Sequence, residues 1–596
     1  MRANRELSLA APLLLAGLAL FFGGGPSDGS IFWLGGGALL AILALLATRG
    51  VPGGWPAVVP LGLLAVWCAV SIAWSWLPDR SWDYANRTLA YALFAVLGLW
   101  LAGRTRAFAH GLAVLLAAVL VWSLLGKVLP VVYDYGGPDV ARLRGPIGLW
   151  NQLALAADFA LALALAIRGR AGALLAYVAL VALLLTYSRG GVLTALLVVG
   201  AWFALADDRL ESAAALVAAA VPGAVVVAIA FVLPGVTSDH QSLHARWRDG
   251  LVFGGLLVVG AGAAVLLERL PRPRETRNLR RAALALGAGT TIAAVAFVVV
   301  HGVGSGAVGN SSQRITSTSS NFRLTWWGEA WHGFRDHPLV GTGAGSFHLL
   351  NLRFRASYLD VTIEPHDLPL QMLAELGIVG LALLVLAFAF LIRPSLRRRG
   401  HELGLALLLP AFLVHSLVDV DWDFAAVAVP AFLAAGSLAG RPAERRVPRL
   451  ALLPAAGIAL VLFGALLSPW LARRYAEDAT RAALSAHPGP AIPLANRAHA
   501  LDPLLVEPFW AKAYAAETRG HTQAAFDQFV DAVRRQPLNP QTWSAAGEYA
   551  WDLGCPYLAW KYLERYTELD QKARQSQGGA HYQAARKLVN DRKYRC

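Results

Sequence analysis

Apolar residues run along most of this chain in stretches of roughly 17–22, parted by short polar links, as in helices that cross a bilayer. Hydropathy predicts about fifteen spans and an all-α fold, a polytopic transmembrane helical bundle of about 12–15 spans. The first spans fall near 7–22, 31–48, 56–76, 88–103, 107–129, 150–167, 171–187 and 190–206. The rest fall near 212–233, 250–267, 282–303, 370–392, 403–418, 424–440 and 450–468. Two segments break the pattern. Residues 304–369 form a polar connection too long for a mere link, and residues 471–596 form a tail of soluble composition. Residues 1–470, with the 304–369 loop included, therefore read as the membrane domain, and 471–596 as an α-helical repeat domain.

Composition narrows the classes. Of 596 residues, 57% are hydrophobic and 15% charged, which excludes a disordered chain, a soluble enzyme and a coiled coil. The net charge of +14 is not gathered into a nucleic-acid patch but lies mostly in the links between spans. With the N-terminus in the cytoplasm, the inside links hold Arg49, Arg104, Arg106, Arg168, Arg170 and Arg209. They also hold the clusters Arg269–Arg281, Arg393–Arg399 and Arg441–Arg449, whereas the short outside links hold fewer cations. By the positive-inside bias, the long loop and the tail are both expected to be extracytoplasmic. Arg2 and Arg5 followed by Leu7–Phe22 read as an uncleaved first span, since no clear small-residue cleavage site follows.

The tail repeats. Gly520, Ala525 and Phe529 recur as Gly554, Ala559 and Leu563, each 34 residues on. Asp502-Pro503 and Asn539-Pro540 punctuate the units. The pattern resembles tetratricopeptide repeats, paired helices that commonly offer a concave face to a peptide or protein. A protein partner and a plain stabilising cap both fit. Of the three cysteines, Cys68 lies in an apolar run, while Cys555 and Cys596 share the tail and can oxidise in an extracytoplasmic compartment. No Cys/His spacing suggests a metal, so neither metal nor cofactor is expected.

Polar residues at the edge of apolar runs carry the candidate chemistry. Arg189 lies in Thr186-Tyr187-Ser188-Arg189-Gly190-Gly191, between two spans with almost no loop. Its planar guanidinium suits a phosphate or diphosphate, the alternative being an arginine snorkelling to the interface. The long loop carries Arg314, then Asn321-Phe322-Arg323-Leu324-Thr325-Trp326-Trp327, whose aromatic spacing fits a helix at headgroup level. Gly341, Gly343 and Gly345 read as a tight turn or a backbone-amide nest for an anion. Glu364-Pro365-His366-Asp367 stands directly before a span, where His366 is placed to take a proton from a sugar hydroxyl, oriented by Glu364 or Asp367. Arg144 and Asn151 open another span, and Asp419, Asp421 and Asp423 close one. Those carboxylates are read as helix-end polarity or contacts to the arginines.

Together these motifs resemble the O-antigen ligase and O-antigen polymerase superfamily. The matching residues are Arg144-Gly145 with Asn151, Ser188-Arg189-Gly190, Arg323 before Trp326-Trp327, and His337-Pro338-Leu339-Val340-Gly341. His366 followed by Leu370-Gln371 and Glu375-x-Gly377-Ile378-Val379-Gly380 completes the set. The resemblance implies a metal-independent membrane glycosyltransferase in the bacterial cytoplasmic membrane. It would move a glycan from undecaprenyl diphosphate to an acceptor hydroxyl on the outer face. Under it His366 is the base, with Glu364 beside it, and Arg189, Arg323, Arg314, Arg144 and Asn151 face the donor. Two departures stand out. Asp367 occupies the place of the family's usual Asn, and the extra spans and the repeat tail exceed the family's usual dozen spans. Acceptor class stays open between lipid, glycan and protein. A lipid-linked glycan transporter is the alternative of a different class, but no half-to-half symmetry supports it.

Overall fold

The computed structural model describes the chain apart from residues 1, 23, 133–138, 208, most of 271–318, 443–446, 486–488 and 592–596. Most of the expected span near 282–303 and most of the Ser/Thr-rich stretch before Asn321 lie outside the described residues. Elsewhere the described secondary structure is helical, with an isolated bridge between Gly53 and Arg441. Seven described helices are long and apolar enough to cross a membrane, and six shorter apolar helices accompany them. The chain is thus an all-α, polytopic helical protein.

Two compact units emerge. The first comprises Met1–Leu61, Ala90–Phe322 and Leu386–Gly457; the second comprises Gly62–Leu89, Arg323–Val385 and Ile458–Cys596. In the first, helix Trp150–Ile167 is buried on every side from Asn151 to Ala166, as expected of a helix apolar all round. Small residues let other helices approach it and each other. A Cβ on Gly436 would meet the carbonyl oxygen of Ala95 at 2.0 Å, and one on Gly98 would meet that of Leu433 at 2.5 Å. Without a hydrophobic drive between spans, such close backbone approach is what associates them.

In the second unit, the tail helices Ala491–Leu501, Glu507–Glu517, Thr522–Arg535, Pro540–Asp552, Pro556–Leu569 and Gln577–Asn590 follow in series. Ala525, Phe529, Ala559 and Leu563, the residues of the 34-residue spacing, are all buried in one apolar cluster with Ala546, Tyr549 and Tyr582. Cys555 is disulfide-bonded, and Cys68 is a buried free thiol.

Three elements differ from the hydropathy reading. The helix expected from 88 begins at Pro78, because Asp79, Ser81, Asp83 and Asn86 find partners and need not remain in a loop. The last span does not stop near 468: helix Leu452–Ala483 runs on unbroken, since Ala472, Ala476, Ala479 and Ala483 present a small stripe to the next tail helices. Helix Leu368–Ile392 is interrupted at Gly377, whose φ of 67° lies in the left-handed region that glycine adopts without a Cβ clash.

Candidate active-site residues

His366 lies in the second unit, half-buried, one residue after Pro365 and two before helix Leu368–Ile392. Its φ of 58° is uncommon for a residue with a Cβ and turns the chain sharply into the helix. The imidazole stacks on Trp326, with centroids 4.9 Å apart and planes 20° from parallel. Trp326 belongs to helix Arg323–Asp336, so the arginine expected to face the donor opens the same helix that supports the histidine.

The two acids beside His366 have distinct work. Glu364 is buried and accepts hydrogen bonds from the Tyr84 hydroxyl and the Gln371 amide. Asp367 caps the helix: its Oδ1 accepts from the Leu370 amide at 2.8 Å. Burial pushes the Asp367 carboxyl up to about 6. Asn and Asp serve equally as such caps, because the role needs only an acceptor oxygen. The Asp-for-Asn departure therefore keeps this contact.

The glycine turn holds an anion, but it is one of the chain's own. Glu375, fully buried, takes the Gly345 amide at 2.8 Å and the Phe347 amide at 3.1 Å. The Gly341, Thr342 and Gly343 amides go to the carbonyls of His337, Ala374 and Glu375, and the Ala344 amide to the Ser71 hydroxyl. The nest reading is corrected accordingly: these donors are spent on docking the turn against the break at Gly377, not on a ligand. The motif Glu375-x-Gly377 carried that signal, a carboxylate two residues before a helix break.

Arg189, Arg314, Arg144 and Asn151 lie in the first unit. Helices Gly169–Leu185 and Arg189–Leu205 are joined by three residues only, and Ser188 caps the second by accepting from the Gly191 amide. Arg189 is thereby fixed at the first helical position, where its Nη1 donates to the Ser317 carbonyl at 2.7 Å. Arg314 is buried, its Nη1 3.4 Å from the Gly309 carbonyl. Arg144 closes a turn through its carbonyl, which accepts from the Gly148 amide at 2.8 Å.

Asn151 is engaged in a buried network that the sequence reading did not foresee. Its Nδ2 donates to Asp419 at 2.5 Å and its Oδ1 accepts from Arg142 at 3.3 Å. Arg142 also donates to the Thr186 carbonyl at 2.9 Å and lies 4.0 Å over the Trp150 ring. Gln152 donates to Asp421 at 3.1 Å, and His415 Nδ1 donates to the same carboxylate at 2.7 Å. The Asp419 and Asp421 carboxylates thus face amides and an imidazole, with Arg142 one step away.

Burial within the long loop also makes Glu329 pH-sensitive. Glu329, whose Oε2 accepts from Asn351 at 2.9 Å, is pushed up to about 7 chiefly by desolvation. A carboxyl raised in the folded state contributes stability below its usual value, which is lost as pH climbs through the raised one. Detergent-purified protein should melt at lower temperature as pH goes from about 5 to about 8. Glu329→Gln should flatten that fall and melt higher than wild type at the alkaline end. An unchanged slope in thermal scans of the variant would contradict the assignment.

Residues 174–385 match the family model described as O-antigen ligase. Over this segment the multi-pass helical chain is similar to the O-antigen ligase family, the class its motifs resemble. The match covers about a third of the chain, including the Arg189 turn, Arg314, Arg323, the glycine turn and His366, but neither Asn151 nor the tail. No curated protein matches the chain.

Proposed function

We propose that this protein transfers a glycan from undecaprenyl diphosphate to an acceptor hydroxyl on the outer face of the bacterial cytoplasmic membrane. The observation that carries the reading is the family-matched segment, which holds an arginine at the first helical position after a three-residue interhelical turn and a histidine of left-handed φ just before a helix start. His366 takes the proton of the acceptor hydroxyl as its oxygen attacks the anomeric carbon. The bond from that carbon to the diphosphate oxygen breaks, and undecaprenyl diphosphate leaves with the electron pair. Negative charge grows on the leaving group, so fixed cations act most strongly in the transition state. Arg189 and Arg323 supply them, with Arg314 in support. Glu364 holds the His366 loop through Tyr84 and Gln371.

An apolar cavity of about 330 Å³ in the first unit suits the polyprenyl chain. Its walls are Thr194, Val198 and Ala201 on the Arg189 helix and Leu407, Ala411 and Val414 opposite. Its nearest lining residue, Thr194, follows Arg189 on the same helix, a course that suits a hydrocarbon hung from a diphosphate. The serial helices of the tail favour a protein partner or acceptor as the second reading.

Purified protein given a lipid-diphosphate glycan with lipid, glycan and protein acceptors tests this directly. The expected result is a mass increase of one glycan on a single acceptor class, with added chelator leaving the rate intact. Absence of transfer to all three, with the donor recovered unchanged, would overturn the reading.

A further inference from the structure

The loop that carries His366 is fastened to the tail by a continuous run of contacts, all within the second unit. Arg355 and Asp570 form a fork-on-fork pair. Arg355 Nη2 donates to Oδ1 at 2.9 Å and to Oδ2 at 2.6 Å, and Nε donates to Oδ1 at 3.1 Å. The side chains are 3% and 5% exposed. Removing one member of such a pair strands the other, so the contact is strongly specified. The Gln571 amide adds a backbone bond to the Leu352 carbonyl at 3.3 Å.

From Arg355 the run continues towards the histidine. Arg355 Nη1 donates to the Tyr358 carbonyl at 2.8 Å, which fixes the start of segment 355–366. One turn back on helix Phe347–Phe354, Asn351 holds the same segment further along. Its Nδ2 donates to the Asp360 carbonyl at 3.2 Å, and its Oδ1 accepts from the Thr362 amide at 3.1 Å. The Asp360 carboxylate accepts from Trp326 Nε1 at 2.6 Å, and the Trp326 ring is the one on which His366 stacks.

We propose that Asp570 and Arg355 are positioning residues for His366, acting through Asn351, Asp360 and Trp326, so that the tail is part of the scaffold of the transfer reaction. This rests on His366 being the base. A tail that served only as a cap or a docking module would leave the rate at the loop untouched when its contact is loosened without unfolding.

A double-mutant cycle on the full-length protein tests it. Asp570→Asn keeps the shape of the acid and removes its charge. Trp326→Phe keeps a ring beneath His366 and deletes the N–H that Asp360 accepts. Each variant should lose roughly tenfold in kcat, with KM for the lipid-diphosphate donor within about twofold of wild type. The double variant should be no worse than the weaker single one, because two breaks in one connected path do not add. A loss of about a hundredfold in the double variant would mean independent sites and would overturn the proposal. So would wild-type kcat in folded Asp570→Asn. Should Asp570→Asn not fold, Arg355→Lys, which keeps the charge and loses the fork, completes the same cycle. His366→Gln measured alongside separates the two readings. Near-normal turnover there removes the base assignment, while coupling between Asp570 and Trp326 is still read independently.

Discussion

His366→Ala should lose about 10²–10⁴ in transfer rate, the usual worth of general-base assistance, while donor binding survives. The two parameters separate because the arginines, not the imidazole, hold the diphosphate in this scheme. His366→Gln should be nearly as poor, since an amide keeps polarity but not basicity. The stack on Trp326 sharpens the comparison. If His366 merely anchored its loop through that stack, a planar amide would recover part of the contact. Gln would then restore most of what Ala loses, and donor affinity would fall together with rate. Single-turnover rates and donor KM on both variants distinguish the outcomes, and a near-normal Gln enzyme would end the base assignment.

What the sequence made legible was local. Runs of apolar residues gave the spans, and the brevity of Thr186–Ser188 gave the interhelical turn that presents Arg189. Pro365 before His366 and Asp367, directly ahead of an apolar run, gave a helix start with His366 just before it. The helical tail announced itself by small residues at fixed spacing, and Ala525 and Ala559 are indeed fully buried.

What escaped was long-range pairing. Tyr84 and Glu364 are 280 residues apart, and Asn151 and Asp419 are 268 apart. Nothing local marks one as the other's partner. Nothing in the sequence separates Arg142 from Arg144, since both stand in the same short link, and only packing decides which guanidinium is buried. Glycine spacing was ambiguous for a similar reason. Three glycines two residues apart announce free amides, but Glu375, thirty residues away from Gly345, decides what those amides bind. Asp570 carried no signal at all, being one acid among several in a soluble tail.

Arg189→Lys should cost on the order of 10²-fold in kcat with the protein still folded, the scale seen when one preorganised donor to a developing anion is removed. A cation at the first position of a helix opposes the helix dipole, so its place there is not explained by stabilising helix Arg189–Leu205. The bond from Arg189 to the Ser317 carbonyl needs one N–H, which an ammonium also supplies, so the turn should survive the change. What lysine cannot supply is the planar fork that meets two phosphate oxygens at once. Because charge accumulates on the leaving diphosphate only as the glycosidic bond breaks, the loss should fall on kcat more than on donor KM. Arg323→Ala should behave alike. An arginine that only snorkels to the interface would be replaced by lysine without consequence. Wild-type turnover in Arg189→Lys, measured with the same donor and acceptor, would therefore remove Arg189 from the diphosphate site.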